Sequence, residues 1–268
     1  MRTKILVTGA NGQLARTIHD LYKENKTDLD FVFAKKKELD IYDETTVKSF
    51  LSNTKFDYCI NCAAYTNVEN AEKNSALAFQ VNAEAVLNLA KACHKLNTTL
   101  IHISTDYVFD GTKTTPYKSS DKENPINEYG KSKLLGERYI KEAMTNYFII
   151  RTSWLYSKDY GNNFYRLILK KANKGEAIRV VNNQISCPTN CQDLSAYILH
   201  LITISSKDFG VHHFSGRSQM SWYDFAIEIV KENNLLESTD IAIDNNYVTF
   251  AKRPKYSVLQ NTKAKASK

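Results

Sequence analysis

The chain has 268 residues, 43% of them hydrophobic, and carries a formal net charge of +7. That is enough apolar material for one large α/β unit, or for one unit with an added lobe. No run of about 18 apolar residues occurs, and the lysines are spread over many segments without interleaved aromatics, so neither a membrane span nor a nucleic-acid surface is expected.

Taken in chain order, short apolar runs at 5–7, 31–33, 58–60, 100–103 and 148–150 alternate with amphipathic stretches at 13–22, 45–51, 83–94 and 132–143. Apolar residues recur every three or four positions in the longer stretches, as on helices with one buried face. Strand, helix and strand joined by right-handed crossovers give an α/β fold, a doubly wound Rossmann-type parallel sheet. After Trp154 the pattern loosens, with helical stretches at 164–171, 193–201 and 221–231 and short strands at 179–181 and 211–214. This predicts a dinucleotide-binding core over 1–154 and a smaller C-terminal lobe over 155–268, mostly substrate-binding and packed on the core. The basic tail 263–268 is assigned no function. Met1-Arg2-Thr3-Lys4 passes directly into the first strand, so a soluble cytoplasmic protein is expected. In such a reducing compartment the five cysteines read as buried free thiols. Neither the pair Cys59 and Cys62 nor the pair Cys187 and Cys191 completes a set of metal ligands, and no metal is expected.

Gly9-Ala10-Asn11-Gly12-Gln13-Leu14-Ala15 follows the first strand at once and opens a helix. In that context a Gly-rich turn can present backbone N–H groups to a pyrophosphate. Gly9 permits the tight turn, Gly12 the close approach, and Ala15 is small enough for helix–strand packing. Lys35-Lys36-Lys37 follows the second strand, where such folds meet the adenosine ribose. A carboxylate there suits the 2′-hydroxyl of NAD, whereas a cation accommodates the 2′-phosphate of NADP. The expectation is NADPH or NADH as cofactor, with NADPH used at least as well. Asp40-Ile41 ends the following loop, and Asn61-Cys62-Ala63-Ala64-Tyr65 leaves the third strand, where the two alanines leave room for a cofactor.

Ser104-Thr105-Asp106-Tyr107 ends the fourth strand, and Tyr129-Gly130-Lys131-Ser132-Lys133 opens a helix. Tyr129 and Lys133 are four apart and share a helical face. A phenol with a reference pKa of ~10 exchanges protons poorly near neutrality unless a cation stabilises its phenolate. Lys133 can supply that charge, and the Thr105 hydroxyl can bond the same substrate oxygen. The three form a proton-transfer set suited to hydride chemistry.

These segments, with Glu38-Leu39-Asp40-Ile41, Arg151-Thr152-Ser153-Trp154 and Arg253-Pro254-Lys255-Tyr256, resemble the extended short-chain dehydrogenase/reductase superfamily. Within it the chain resembles the dTDP-4-dehydrorhamnose reductases over nearly its whole length. The resemblance implies reduction of a 4-keto-6-deoxy nucleotide sugar to dTDP-L-rhamnose. Tyr129 would be the proton donor, Lys133 would hold the nicotinamide ribose, and Asp40 would lie near the adenine. Thr105 and Asp106 would contact the sugar, Trp154 would pack beside it, and Arg253 would suit the diphosphate. A homodimer is compatible with this reading. Rival readings are another nucleotide-sugar reductase, an epimerase or a dehydratase, and a non-catalytic NADP-binding regulatory subunit. A dehydratase needs two carboxylates after the strand-end threonine, and here Asp106 is followed by Tyr107.

Overall fold

In the computed structural model, which describes residues 2–24 and 28–263, strand and helix alternate through the first half of the chain. The order is β1 (Thr3–Thr8), α1 (Gln13–Glu24), β2 (Leu29–Ala34), α2 (Glu44–Asn53), β3 (Tyr58–Asn61), α3 (Val68–Lys73) and α4 (Ser75–Phe79). A π-helical turn (Gln80–Glu84) then runs into α5 (Ala85–Lys95), followed by β4 (Thr99–Thr105), α6 (Glu128–Ala143) and β5 (Tyr147–Thr152). The remainder comprises β6 (Leu155–Tyr156), α7 (Phe164–Asn173), β7 (Ile178–Val180), β8 (Ile185–Ser186), β9 (Thr189–Asn190) and α8 (Cys191–Thr203). It ends with β10 (Gly210–His213), β11 (Met220–Ser221), α9 (Trp222–Glu232) and β12 (Ile241–Ile243).

Six strands pair in parallel in the order β2-β1-β3-β4-β5-β10. Both faces are covered, which is why these strands read as unbroken apolar runs rather than alternating ones. Leu6, Cys59, Leu100 and Ile149 pack with Leu51 of α2, Leu89 of α5 and Ile140 of α6. On the opposite face Ile5, Val7, Ile60, Ile101 and Phe148 meet Ile18 of α1 and Leu194, Ile198 and Leu201 of α8. The strand order reverses between β1 and β3. A crevice opens at such a switch point, beyond the carboxyl ends of the strands.

The chain does not divide cleanly at residue 154. α8 packs on α1 through the core cluster, and β10 extends the sheet beside β5. The chain leaves the sheet after β5, builds half of the lobe with α7, returns for α8 and β10, and departs again for α9. The lobe has its own core of Tyr165, Ile168, Phe225 and Ile229, closed by the parallel pair β7 and β12. Near the C-terminus the chain comes back once more: Tyr117 N donates to Val258 O at 2.8 Å, and Gln260 N to Tyr117 O at 2.8 Å. Positions 264–268 of the basic tail lie outside the described residues. Among the described residues no helix is long and apolar enough to cross a membrane.

Candidate active site

At the switch point the β1–α1 turn is shaped by Gly9, whose φ is +66° and whose hypothetical Cβ would lie 2.8 Å from the Ala63 nitrogen. Both the left-handed backbone and the contact with the β3 exit therefore require glycine. Gly12 N bonds Gly9 O at 2.8 Å, and Ala10 N bonds Ala34 O at 3.1 Å, which fixes the turn beside the end of β2. The first turn of α1 holds no acidic side chain, so the positive end of the helix is not neutralised locally. Gly12, Gln13 and Leu14 border a cleft of about 540 Å³ that also meets Ala64, Thr105, Asp106, Tyr129, Lys133 and Trp154. A glycine-formed turn, a helix N-terminus with no acidic side chain in its first turn and a small residue across the gap fit a dinucleotide diphosphate.

The other expected cofactor positions are distributed more widely. Asn11 is exposed, Tyr65 is half-buried with its backbone pinned by Asn82, and the Ile41 side chain is part of the hydrophobic core. Lys35 is exposed, and its backbone N–H donates to Glu38 Oε2 at 2.8 Å. Asp40 lies 3.6 Å from Lys36. Lys35 and Asp40 thus sit on the loop at the end of β2, outside the lining of the cleft.

At the catalytic end, Thr105 closes β4, and its Oγ1 accepts the Tyr107 N–H at 3.1 Å and donates to Asp106 Oδ1 at 3.1 Å. Tyr129 stands in the first turn of α6, which is capped by the Asn127 side chain accepting from Gly130 N at 2.7 Å. A Cβ at Gly130 would lie 2.2 Å from the Tyr107 carbonyl oxygen. Only glycine lets the helix approach the strand end this closely, and the approach brings the Tyr129 phenol into the cleft beside Thr105. Burial pushes the Tyr129 phenol up, and the nearby Thr105 hydroxyl opposes that only in part. Lys133 is moved the other way: burial pushes it down to about 8, with Glu137 working against the shift. Its Nζ donates to Ile103 O at 2.7 Å and lies 3.1 Å from His102 Nε2.

Asp106 is buried, and burial pushes it up to about 7 although Ser257 Oγ donates to it at 2.5 Å. Trp154 follows β5 with a φ of +45°, a conformation costly for a bulky residue. Its indole stacks on Trp222, with ring centroids 3.5 Å apart. Trp222 opens α9 and donates Nε1–H to Gln184 Oε1 at 3.1 Å. Arg253 lies elsewhere, on an adjoining cavity of about 930 Å³ that shares Asn163, Phe164 and Trp222 with the cleft. One of its nitrogens donates to Glu69 at 2.8 Å, while its Nε is buried without a partner. Arg166 and Lys170 border the same cavity.

The residues that the sequence reading missed are Trp222, Asn163 and His102. Ser221 and Asp224 form a capping box, a Ser-x-x-Asp signal that places Trp222 at a helix start. Asn163 caps α7 and donates to Gln13 Oε1 at 2.9 Å, a contact across 150 residues for which no local pattern exists.

A diphosphate-fitting turn at the β1/β3 switch and a Thr, Tyr and Lys set lining the cleft at the β4–α6 junction define an NAD(P)-dependent oxidoreductase of the short-chain dehydrogenase class. More narrowly, the chain belongs to the dTDP-4-dehydrorhamnose reductase family: the family described as the RmlD substrate binding domain matches residues 3–268. A dTDP-4-dehydrorhamnose reductase of Aggregatibacter actinomycetemcomitans is 39% identical, over 97% of this chain and 91% of its own length. The spore coat polysaccharide biosynthesis protein SpsK of Bacillus subtilis is 36% identical, over 97% of this chain and 89% of its own. The crystal structure of dTDP-4-dehydrorhamnose reductase from Bacillus anthracis in complex with NADP superposes with a TM-score of 0.92 at 38% identity, covering 98% of this chain and 92% of that one.

Proposed function

We propose that this protein reduces the 4-keto group of a nucleotide-activated 6-deoxyhexulose, converting dTDP-4-dehydrorhamnose to dTDP-L-rhamnose with NADPH or NADH, in the cytoplasmic supply of precursors for cell-surface polysaccharide. The observation that carries this reading is that Thr105, Tyr129 and Lys133 line the same cleft that the dinucleotide turn borders. The relative crystallised with NADP and the relative named for polysaccharide biosynthesis support it.

Gly12, Gln13 and Leu14 would hold the cofactor's diphosphate, and Lys133 its nicotinamide ribose. A reduced nicotinamide bound there supplies hydride to C4 of the sugar. Thr105 and Tyr129 direct their hydroxyls at the keto oxygen, and Tyr129 gives its proton to that oxygen as it becomes an alkoxide. Because burial raises the phenol, Tyr129 stays protonated through the neutral range and enters each turnover as an acid. Asp106 would meet a sugar hydroxyl. The Trp154–Trp222 stack walls the cleft from the lobe side and keeps water from the reacting atoms. Arg166, Lys170 and Arg253 border the adjoining cavity and suit the substrate diphosphate. Tyr107, a phenol near Arg253, stands at the position where elimination chemistry wants a second carboxylate, which favours reduction over dehydration.

The test is to mix the protein with NADPH and a panel of 4-keto-6-deoxy nucleotide sugars and follow the reduced nicotinamide by absorbance. Tyr129→Phe should bind cofactor normally and lose more than tenfold in kcat/KM, about 1.4 kcal/mol of transition-state stabilisation. If the wild type binds NADPH but oxidises it with no sugar of the panel, the regulatory-subunit reading prevails.

A further inference from the structure

We infer that His102 and Asn61, buried beneath the site, are positioning residues for Lys133: together they hold its Nζ at the floor of the cleft and set its affinity for a proton. The inference rests on the proposed role of Lys133 at the nicotinamide ribose, and it concerns a hydrogen-bond chain that the reaction itself does not touch.

Asn61 and His102 are opposite each other on β3 and β4 and are 1% and 0% exposed. Asn61 Oδ1 accepts from Thr8 Oγ1 at 2.7 Å and from Ala63 N at 3.2 Å. A backbone N–H can only donate, so the amide oxygen is fixed on that side. Asn61 Nδ2, 3.1 Å from His102 Nδ1, must therefore donate to it. Burial keeps the His102 ring neutral, and with Nδ1 accepting, its single proton resides on Nε2. That Nε2–H points at Lys133 Nζ from 3.1 Å, while Nζ donates to Ile103 O at 2.7 Å.

An ammonium carries three donors and no acceptor, so it would meet Nε2–H donor to donor, whereas a neutral amine offers its lone pair. The chain Thr8, Asn61, His102, Lys133 and Ile103 thus contains no donor-to-donor contact when Lys133 is an amine. Adding a proton to Lys133 requires the ring to take the other tautomer and the Asn61 amide to turn over, which turns an NH₂ group towards the Ala63 N–H and leaves it only the longer bond to Thr8 Oγ1, at 3.4 Å. This penalty adds to that of burial.

Other charged groups surround the pair. Glu137 of α6 raises the lysine's proton affinity, but its carboxylate is occupied by Arg151 of β5 and by Ser104 of β4. Glu123 and Lys141 belong to the same compensated cluster. On the cleft side stand Tyr129 and Asp106. Within that frame the tautomer of His102 is the variable that a single change at Asn61 can reverse. In Asn61→Asp the new carboxylate would accept Nδ1–H, leave Nε2 with a lone pair, and so favour the ammonium.

The experiment uses the full chain without ligand. Long-range ¹H–¹⁵N NMR of the histidine rings, with His102 assigned against His102→Gln, gives the tautomer. ¹³Cε-labelled lysine, with Lys133 assigned against Lys133→Met, gives the titration midpoint. The wild type is expected to show Nε2–H. Asn61→Asp is expected to show Nδ1–H, together with a gain in Lys133 proton affinity of at least tenfold, about one pKa unit. An Nδ1–H tautomer in the wild type overturns the inference with no variant needed. So does an Asn61→Asp protein whose Lys133 midpoint is unmoved, or is moved with no change of tautomer. None of these readouts depends on turnover, so an error in the assigned substrate leaves the test intact.

Discussion

Glu137→Gln probes the buried charges that tie α6 to the sheet. Arg151 is fully buried, and its Nε reaches Glu137 Oε1 at 3.0 Å and Oε2 at 3.2 Å, while one terminal nitrogen reaches Glu137 Oε2 at 2.6 Å and Glu123 Oε1 at 2.5 Å. Ser104 Oγ adds a bond to Glu137 Oε1 at 2.5 Å. Glutamine keeps the shape but removes the charge and turns one acceptor into a donor aimed at a cation or a hydroxyl. Breaking a buried pair from one side costs about 3–5 kcal/mol, because the remaining ion is left uncompensated. Glu123 survives as a partner, but it is 24% exposed and is also approached by Lys141, so the expected loss is at the lower end, about 3 kcal/mol. The other terminal nitrogen of Arg151 already lacks a partner, which leaves the guanidinium no spare bond to compensate with. In urea, with an m-value of about 3 kcal/mol/M, the midpoint should fall by roughly 1 M at unchanged m. The double variant Glu137→Leu with Arg151→Met should be less destabilised than the sum of its singles by at least about 1 kcal/mol. A single-variant loss below about 1 kcal/mol, or strict additivity of the pair, would falsify the claim that this cluster is electrostatically closed.

Lys35→Asp should shift the NADPH/NADH ratio of kcat/KM towards NADH by a few-fold, since an exposed ammonium–phosphate contact is worth only about 1 kcal/mol and weakens in salt. An unchanged ratio at low salt rules Lys35 out of the ribose site. Burial holds the Asp106 carboxyl near 7, above its ordinary 3.8. The folded state therefore binds the proton more tightly than the unfolded one, and this group costs stability progressively as pH rises from about 4 to about 7, at a slope of at most roughly 1.4 kcal/mol per pH unit. Asp106→Asn should remove that slope from a Tm-against-pH series, and parallel curves for variant and wild type would contradict the burial argument. The two tryptophans of the chain are the stacked pair in the cleft. Intrinsic emission should change when a nucleotide sugar binds, and an invariant spectrum at saturation would place the sugar elsewhere.

The parallel sheet was legible because both its faces are covered: β1, β3, β4 and β5 had to be continuous apolar runs, and the helices between them show one buried stripe each. The proton-transfer set was legible for a related reason. Thr105 ends a strand, Tyr129 starts a helix, and Lys133 is one turn further, so local geometry nearly fixes their common direction. The elements that escaped are short. α3 and α4 have six and five residues, too few for a helical period to emerge, although Asn67 and Asn74 cap them. β10 was assigned to the lobe because a four-residue run near the end of a chain carries no mark of its partner. Its pairing with β5 is decided by the apolar face that α8 completes. The side-chain roles that escaped share one property: they are set by contacts across the fold. His102 reads as one more strand residue until Asn61 from β3 fixes its tautomer, and Arg253 reads as a free cation until Glu69 is found beside it.

The way the lobe is attached bears on how the cleft works. Each half of the molecule has its own apolar cluster, and the links at the cleft are polar. Gln13 bonds Leu155 O and Asn163, Asn127 bonds Lys252 O, and Ser257 bonds Asp106. The residues on the core side of these links are Gln13 of the dinucleotide turn, the cap of the helix that carries Tyr129, and the carboxylate next to Thr105. Each of the three regions of the site is thereby connected by a hydrogen bond to a segment that follows β5 in the chain. A polar link loses its strength steeply with distance and angle, so the lobe is held in register by the same residues that are proposed to hold the ligands. A nucleotide sugar or dinucleotide that draws on Gln13 or Asp106 competes with a lobe contact.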